Sequence, residues 1–169
     1  MPELALLRHA KSDWSASLPD RERSLNARGR RDARHIGRWL AETGWIPDLI
    51  LASPARRVRE TLANLRAETG WPESLVRWED ALYLAPERIL AERVRRLPDD
   101  RARVLLTGHN PGLEQLLLRL AEQPPAPQDN GKLFTTANLA LMELPCWHRL
   151  EPQGARLLAF VRPKELDEA

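Results

Sequence analysis

Three apolar runs in this chain stop abruptly at polar, basic segments. Residues 4–7 end at Arg8-His9, residues 48–52 at Ser53-Pro54-Ala55-Arg56-Arg57, and residues 104–107 at Gly108-His109-Asn110-Pro111-Gly112. Short runs without polar alternation read as strands buried on both faces of a parallel sheet. Between them the apolar period lengthens to that of helices. Asn26 reads as an N-cap, followed by a face of Ala33, Ile36, Leu40 and Thr43 and a stop at Gly44. Ser53 reads as the cap of a second helix, with Pro54 at its first position and Val58, Leu62 and Leu65 inward. That helix stops at Gly70, with Pro72 just beyond.

Residues 75–78 form a short candidate strand, and Pro86 opens a helix with Leu90, Val94 and Leu97 inward. Asp99-Asp100 is a turn; after the strand at 103–107, Pro111 starts a helix carrying Leu113, Leu116, Leu117 and Leu120. Residues 138–144 and 155–161 are spaced as an antiparallel hairpin. Residues 11–23 and 123–132 read as polar loops, and residues 163–169 as a frayed tail. Strands alternating with helices predict an α/β fold, a three-layer αβα sandwich with a mainly parallel central sheet.

The 169 residues suffice for one domain, 1–169, with a real core. No apolar run reaches the roughly 18 residues that a membrane helix needs. The N-terminus carries Glu3 and reaches Arg8 too soon for a signal peptide. With Cys146 alone, no internal disulfide is possible, and a cytoplasmic setting is expected. The net charge of +2 is too balanced to predict nucleic-acid binding. Two basic clusters stand out, at Arg28, Arg30, Arg31 and Arg34 and at Arg56, Arg57 and Arg59; most of these belong on solvated helix faces.

Ligands of open α/β sheets bind beyond the carboxyl ends of the strands. Two of the three strand ends lead into helices, whose N-termini favour anions, and arginine adds a fork matched to phosphate oxygens. A phosphoryl group is therefore the natural ligand. The chain has no G-x-G, and Gly131-Lys132 lacks the second glycine of a Walker loop. Recognition would fall to side chains. His9 admits three roles: a packed core residue, a metal ligand, or a nucleophile able to carry phosphate. The four histidines (His9, His35, His109, His148) show no metal-ligand spacing, and His35 and His148 read as surface residues. His109 stands at an equivalent strand end to His9.

Leu7-Arg8-His9-Ala10-Lys11-Ser12-Asp13-Trp14 resembles the R-H-G/A signature of the histidine phosphatase superfamily, the phosphoglycerate mutase-like fold. Leu25-Asn26-Ala27-Arg28-Gly29 resembles its L-[TN]-x-x-G block, and Ser53-Pro54-Ala55-Arg56-Arg57-Val58-Arg59-Glu60-Thr61 its S-P-x-x-R-x-x-[QE]-T block. Gly108-His109-Asn110-Pro111 resembles its later G/S-H block, and Phe134-Thr135-Thr136-Ala137 a late segment of the small SixA-type phosphohistidine phosphatases. The resemblance implies that His9 is the nucleophile and that Arg8, Arg57 and His109 grip the phosphoryl oxygens. It implies no metal and no cofactor. Arg56 is a flanking charge.

One departure from the family pattern matters. Many members carry an acid in an L-x-E context, and Leu84 stands where that glutamate is expected. A leaving alcohol needs a proton donor; a phosphorylated imidazole needs less help. Asp13, Glu79 and Asp80 remain candidate acids. Lys11, Ser12, Trp14 and Thr136 are placed at the rim of the site, Trp14 as a possible stacking surface. The other tryptophans, Trp39, Trp45, Trp71, Trp78 and Trp147, read as packing residues. No insertion is long enough to cap the site, and an open cleft suits a phosphohistidine on a protein. Small phosphomonoesters, or phosphate binding without catalysis, are the alternatives.

Overall fold

Leu4 and Leu6 face one side of the sheet and Ala5 and Leu7 the other, all four without solvent exposure. They lie on β1 (Glu3–Arg8), near the centre of a six-stranded sheet in the computed structural model, which describes residues 1–167. The other strands are β2 (Leu49–Ala52), β3 (Val76–Trp78), β4 (Arg103–Gly108), β5 (Leu139–Glu143) and β6 (Arg156–Val161), in the order β3-β2-β4-β1-β5-β6. The pairings β3–β2, β2–β4 and β4–β1 are parallel; β1–β5 and β5–β6 are antiparallel. Two apolar cores fill the two faces. One packs α1 (Ala27–Thr43) and α2 (Arg56–Thr69) through residues such as Ile36, Leu40, Val58 and Leu62. The other packs α3 (Glu87–Arg95) and α4 (Gly112–Leu120) through Leu90, Val94, Leu113 and Leu117. The result is the expected αβα sandwich.

Helix ends follow local chemistry, with one correction. Asn26 caps α1, its side chain accepting from Gly29 N at 2.8 Å, and Gly44 ends it in the left-handed region at φ 75°. Ser53 does not cap α2. The helix starts at Arg56, with Ala55 at its N-cap and no side-chain cap; Ser53 and Pro54 precede it, and the Ser53 hydroxyl meets His109 at 2.7 Å while accepting from Ala55 N at 3.3 Å.

Four further details depart from the sequence reading. Thr43 is exposed, its hydroxyl turned back to Leu40 O, and Leu97 is buried but lies beyond the end of α3. Trp78, on the edge strand β3, is 37% exposed rather than packed. The tail is not frayed through 167: α5 (Pro163–Asp167) forms and Leu166 packs against the α1/α2 core. Residues 168–169 lie outside the described residues. Among the described residues no helix is long and apolar enough to cross a membrane.

Parallel pairing puts the carboxyl ends of β1, β2 and β4 on one edge of the sheet. In register, Arg8 lies beside Gly108, and Ala52 beside Thr107. His9, Ser53 and His109 therefore follow at the same level.

Candidate active site

His9 leaves β1 with its backbone N–H donated to Gly108 O at 3.1 Å, which fastens it to the end of β4. Its ring is buried, and Nδ1 lies 2.8 Å from Ala10 O. A carbonyl only accepts, so Nδ1 carries the proton and Nε2 keeps its lone pair. Burial disfavours the imidazolium and, with His109, Arg57 and Arg8 adding repulsion, holds the pKa down at about 3 against the lone opposing pull of the Ala10 carbonyl. Near neutral pH the ring is uncharged, with the Nε2 lone pair available.

The residues of the Ser53–Thr61 block each do separate work. The Ser53 hydroxyl meets His109 Nε2 at 2.7 Å. Glu60 accepts from Leu25 N at 2.7 Å and from Arg56 Nε at 3.1 Å, which ties the loop before α1 to α2 and turns Arg56 away from the cavity. Thr61 donates to Arg57 O at 2.6 Å and accepts from Ala10 N at 2.9 Å, so one hydroxyl couples the segment after His9 to the turn bearing Arg57.

Arg57 is 2% exposed. Its guanidinium donates to Asp20 O at 2.8 Å and Asp20 Oδ2 at 3.0 Å, and its Nη2 lies 3.3 Å from His109 Nδ1. Arginine only donates, so His109 Nδ1 accepts there and Nε2 donates to Ser53. Burial, reinforced by Arg57, brings the His109 pKa down to about 4. The rings of His9 and His109 are 5.5 Å apart. Arg8 donates to Phe134 O at 3.2 Å, and its Nε and that of Arg57 are buried with no acceptor in the protein. Buried donors are normally paired; oxygens of a phosphoryl group entering between the two arginines would pair them.

Asp20, Arg23 and Tyr83 complete the site, and none was anticipated from sequence. Asp20 accepts from Arg57, from Arg23 at 3.1 Å and, in a very short bond, from the Tyr83 hydroxyl. Partial burial pushes its carboxyl up, but these donors outweigh that and hold it at about 2. Tyr83 also stands edge-on to the His109 ring, 5.4 Å between centroids. Arg23 donates to the Ser12 hydroxyl and lies 3.5 Å over the Trp14 ring. Asp20 and Arg23 carry only the signal of a polar loop, and Tyr83 stands in a segment assigned to no element, so neither signal gives an address.

Arg8, His9, Arg57 and His109 line one cavity of about 260 Å³, together with Lys11, Ser12, Trp14 and Thr136. Asp20, Arg23, Leu84 and Asn110 line it too. Lys11 and the largely exposed Trp14 stand at the rim; Ser12 is buried. The candidate acids are elsewhere. Glu79 holds Arg93 in a two-pronged pair at 2.7 and 2.9 Å, Asp80 pairs with Arg21, and Asp13 accepts from Ser15. Leu84 does face the cavity, where the absent glutamate was expected. No group of three or more His, Cys, Asp or Glu able to hold a metal occurs among the described residues.

Residues 4–82 match the sequence profile of the histidine phosphatase superfamily (branch 1). The Mycobacterium tuberculosis protein Rv1276c is 31% identical over 163 residues, covering 94% of this chain and all of that protein. A chloroplastic protein of Arabidopsis thaliana is 36% identical over 121 residues, or 66% of this chain; the match spans 56% of the longer plant protein. The crystal structure from Agrobacterium tumefaciens named for the phosphohistidine phosphatase SixA superposes with a TM-score of 0.78 at 27% identity, covering 96% of this chain and 99% of that one. A parallel sheet that delivers Arg8-His9, Arg57 and His109 to one cavity is what the four sequence blocks led us to expect. By profile, relatives and fold, this chain belongs to the histidine phosphatase superfamily and has the SixA-type form.

Proposed function

We propose that the protein is a phosphatase that works by two displacements through a phosphohistidine on His9, and that its substrate is phosphohistidine carried on a protein. The observation that carries this reading is the state of His9: neutral, with Nδ1 tied to Ala10 O, and buried between Arg8, Arg57 and His109. In the first step Nε2 attacks phosphorus, a P–N bond forms, and the bond to the leaving group breaks with its electron pair. Arg8 and Arg57 stabilise the charge on the phosphoryl oxygens, where a preorganised clamp helps most. In the second step water attacks phosphorus and His9 leaves as neutral imidazole.

The wall of the cavity favours an activated phosphate. Asp20 is ionised at neutral pH and cannot protonate a departing alkoxide, and Leu84 supplies no acid. A departing imidazole is a far weaker base and makes less demand. His109 enters as an acceptor of Arg57. A phosphate dianion beside it would raise its pKa and convert Nδ1 into a donor.

Labelling with a phosphorylated substrate and trapping the intermediate tests the mechanism. Acid-labile, alkali-stable phosphate on His9 is expected; full activity in His9→Ala would overturn it. Arg57→Ala is expected to lose roughly 10²–10³ in kcat, the cost of removing a preorganised donor.

A further inference from the structure

A second cleft, of about 670 Å³, opens beside the reaction cavity and shares Arg8, Lys11, Asn110 and Thr136 with it. Its walls carry six cations (Arg8, Lys11, Arg28, Lys132, Arg162, Lys164) and two carboxylates, Asp32 and Glu114. That excess is large in a chain whose net charge is only +2. Both carboxylates are already engaged. Asp32 pairs with Arg28 at 3.5 Å, and Glu114 accepts from Phe134 N at 2.9 Å. Lys11, Lys132 and Lys164 are exposed, and none belongs to an ion pair among the described residues.

The cleft is held open by hydrogen bonds rather than by packing alone. Arg162 donates to Leu133 O at 3.0 Å and Ala126 O at 3.2 Å and lies 4.7 Å over the Phe160 ring. The loop between α4 and β5 is thereby strapped to the base of α5. Gln128 N donates to Lys132 O, and Gly131 N to Gln128 O, so Lys132 is presented on a closed turn. On the far side, Arg8 and Asn110 both hold Phe134 O.

The chemistry of these walls selects among anions. The one aromatic ring in the lining, Phe134, is 1% exposed, so a base has nothing to stack on. Nη2 of Arg162 is spent on two backbone carbonyls and its Nε is buried, and Nε of Arg28 faces Asp32 at 3.5 Å, so neither guanidinium offers the groove its full fork for a second phosphate of a small molecule. What remains free is a spread of three lysine point charges along an open groove. Carboxylates strung along an extended chain match that spread.

We infer that this cleft holds an acidic stretch of the phosphorylated partner, flanking the residue whose phosphoryl group enters the cavity; the inference rests on the phosphatase reading above. The partner's carboxylates meet Lys11, Lys132 and Lys164, and the phosphoryl passes Arg8 and Thr136 into the cavity. Specificity is thus set beside the chemistry, by charges that contact only the leaving group.

Two synthetic phosphohistidine peptides test this, one with glutamates flanking the histidine and one with serines. At low ionic strength the acidic peptide is expected to show a kcat/KM roughly tenfold higher, the sum of two or three exposed ion pairs. The difference should lie in KM. It should close as salt is added to the wild-type protein, a series that requires no variant to fold, and it should close in the double variant Lys132→Glu, Lys164→Glu. Equal KM values for the two peptides in the wild-type protein would overturn the inference, as would a preference that survives high salt and the double variant. A small bisphosphate turned over in preference to both peptides would overturn it as well. Free phosphohistidine, too small to span the cleft, separates the two readings. Turnover of it without peptide discrimination leaves the phosphatase standing and removes the acidic partner; no turnover of any of these substrates removes the phosphatase.

Discussion

Asp20 takes bonds from three side chains, and each bond has a consequence that can be measured. It fixes two edges of the Arg57 guanidinium, one through its carbonyl and one through its carboxylate. Asp20→Asn keeps the carbonyl contact and loses the charge, so kcat is expected to fall about tenfold, the lower range for groups that orient a functional residue. A readout independent of turnover exists, because Tyr83 is the only tyrosine in the chain. Burial first, then the bond to Asp20 and its charge, raise the phenol above its ordinary pKa. Ultraviolet titration of tyrosinate should show that elevation in the wild-type protein and a clear drop in Asp20→Asn. An unchanged Tyr83 titration would show that the pair does not exist in solution. Leu84 offers the converse experiment. It lines the cavity at a left-handed φ of 50°, half exposed, with no evident packing duty. Leu84→Glu is expected to raise turnover of an alkyl phosphomonoester tenfold or more, by supplying the missing acid. Phosphohistidine turnover should change much less, and initial rates on the two substrates decide it.

Elements meet tightly where α1 approaches the segment after His9. A Cβ on Gly29 would stand 2.1 Å from Lys11 O, and Asn26 N also donates to that carbonyl at 3.0 Å. Gly29→Ala therefore has to push α1 and the His9–Trp14 segment apart. A loss of about 1–3 kcal/mol in the free energy of unfolding is expected from denaturant titration, with a loss of kcat that a mere stability effect would not bring below the transition.

Close approaches of this kind explain what the sequence could and could not convey. Strand ends were legible because an apolar run that stops at charge has one physical meaning, and the four motif blocks then assigned Arg8, His9, Arg57 and His109. Ser-Pro is a strong local start signal, yet α2 begins two residues later than it indicates, and the side chain that Ser53 meets, His109, is 56 residues away. Asp20 and Tyr83 were not legible at all. Their pairing spans 63 residues and joins two irregular segments, where no periodicity reports which way a side chain points. The tail was read as frayed because its anchors, the seat of Leu166 and the Arg162 strap, are tertiary.

For the whole molecule, the two buried histidines set the response to acid. Each has an ordinary pKa of 6.5, lowered to about 3 at His9 and about 4 at His109 in the folded state. Between those values and 6.5 the unfolded chain binds more protons than the native one, so stability rises with pH there. Their contribution is complete above pH 6.5 and is lost progressively as the pH falls toward 4 and then 3. Asp20, lowered from 3.8 to about 2, extends the loss below pH 4. Calorimetry from pH 8 downward should show a level Tm that drops once the pH passes below 6.5. His9→Ala should make that drop shallower while abolishing phosphoenzyme formation; an equally steep drop would assign the acid sensitivity elsewhere.

The order of strands has a consequence for how the protein comes into being. β4 lies between β1 and β2, yet is made after both. During synthesis, His9 and Arg57 exist well before anything can seat them side by side, and the Gly108 carbonyl and the His109 ring arrive only when β4 slots into the gap. The proposed site therefore cannot assemble before β4 is in place, and the Phe134 carbonyl that holds Arg8 is made later still. On that reading a nascent chain that stops short of β4 carries no assembled site, and activity after denaturation is expected to return no sooner than that central strand inserts.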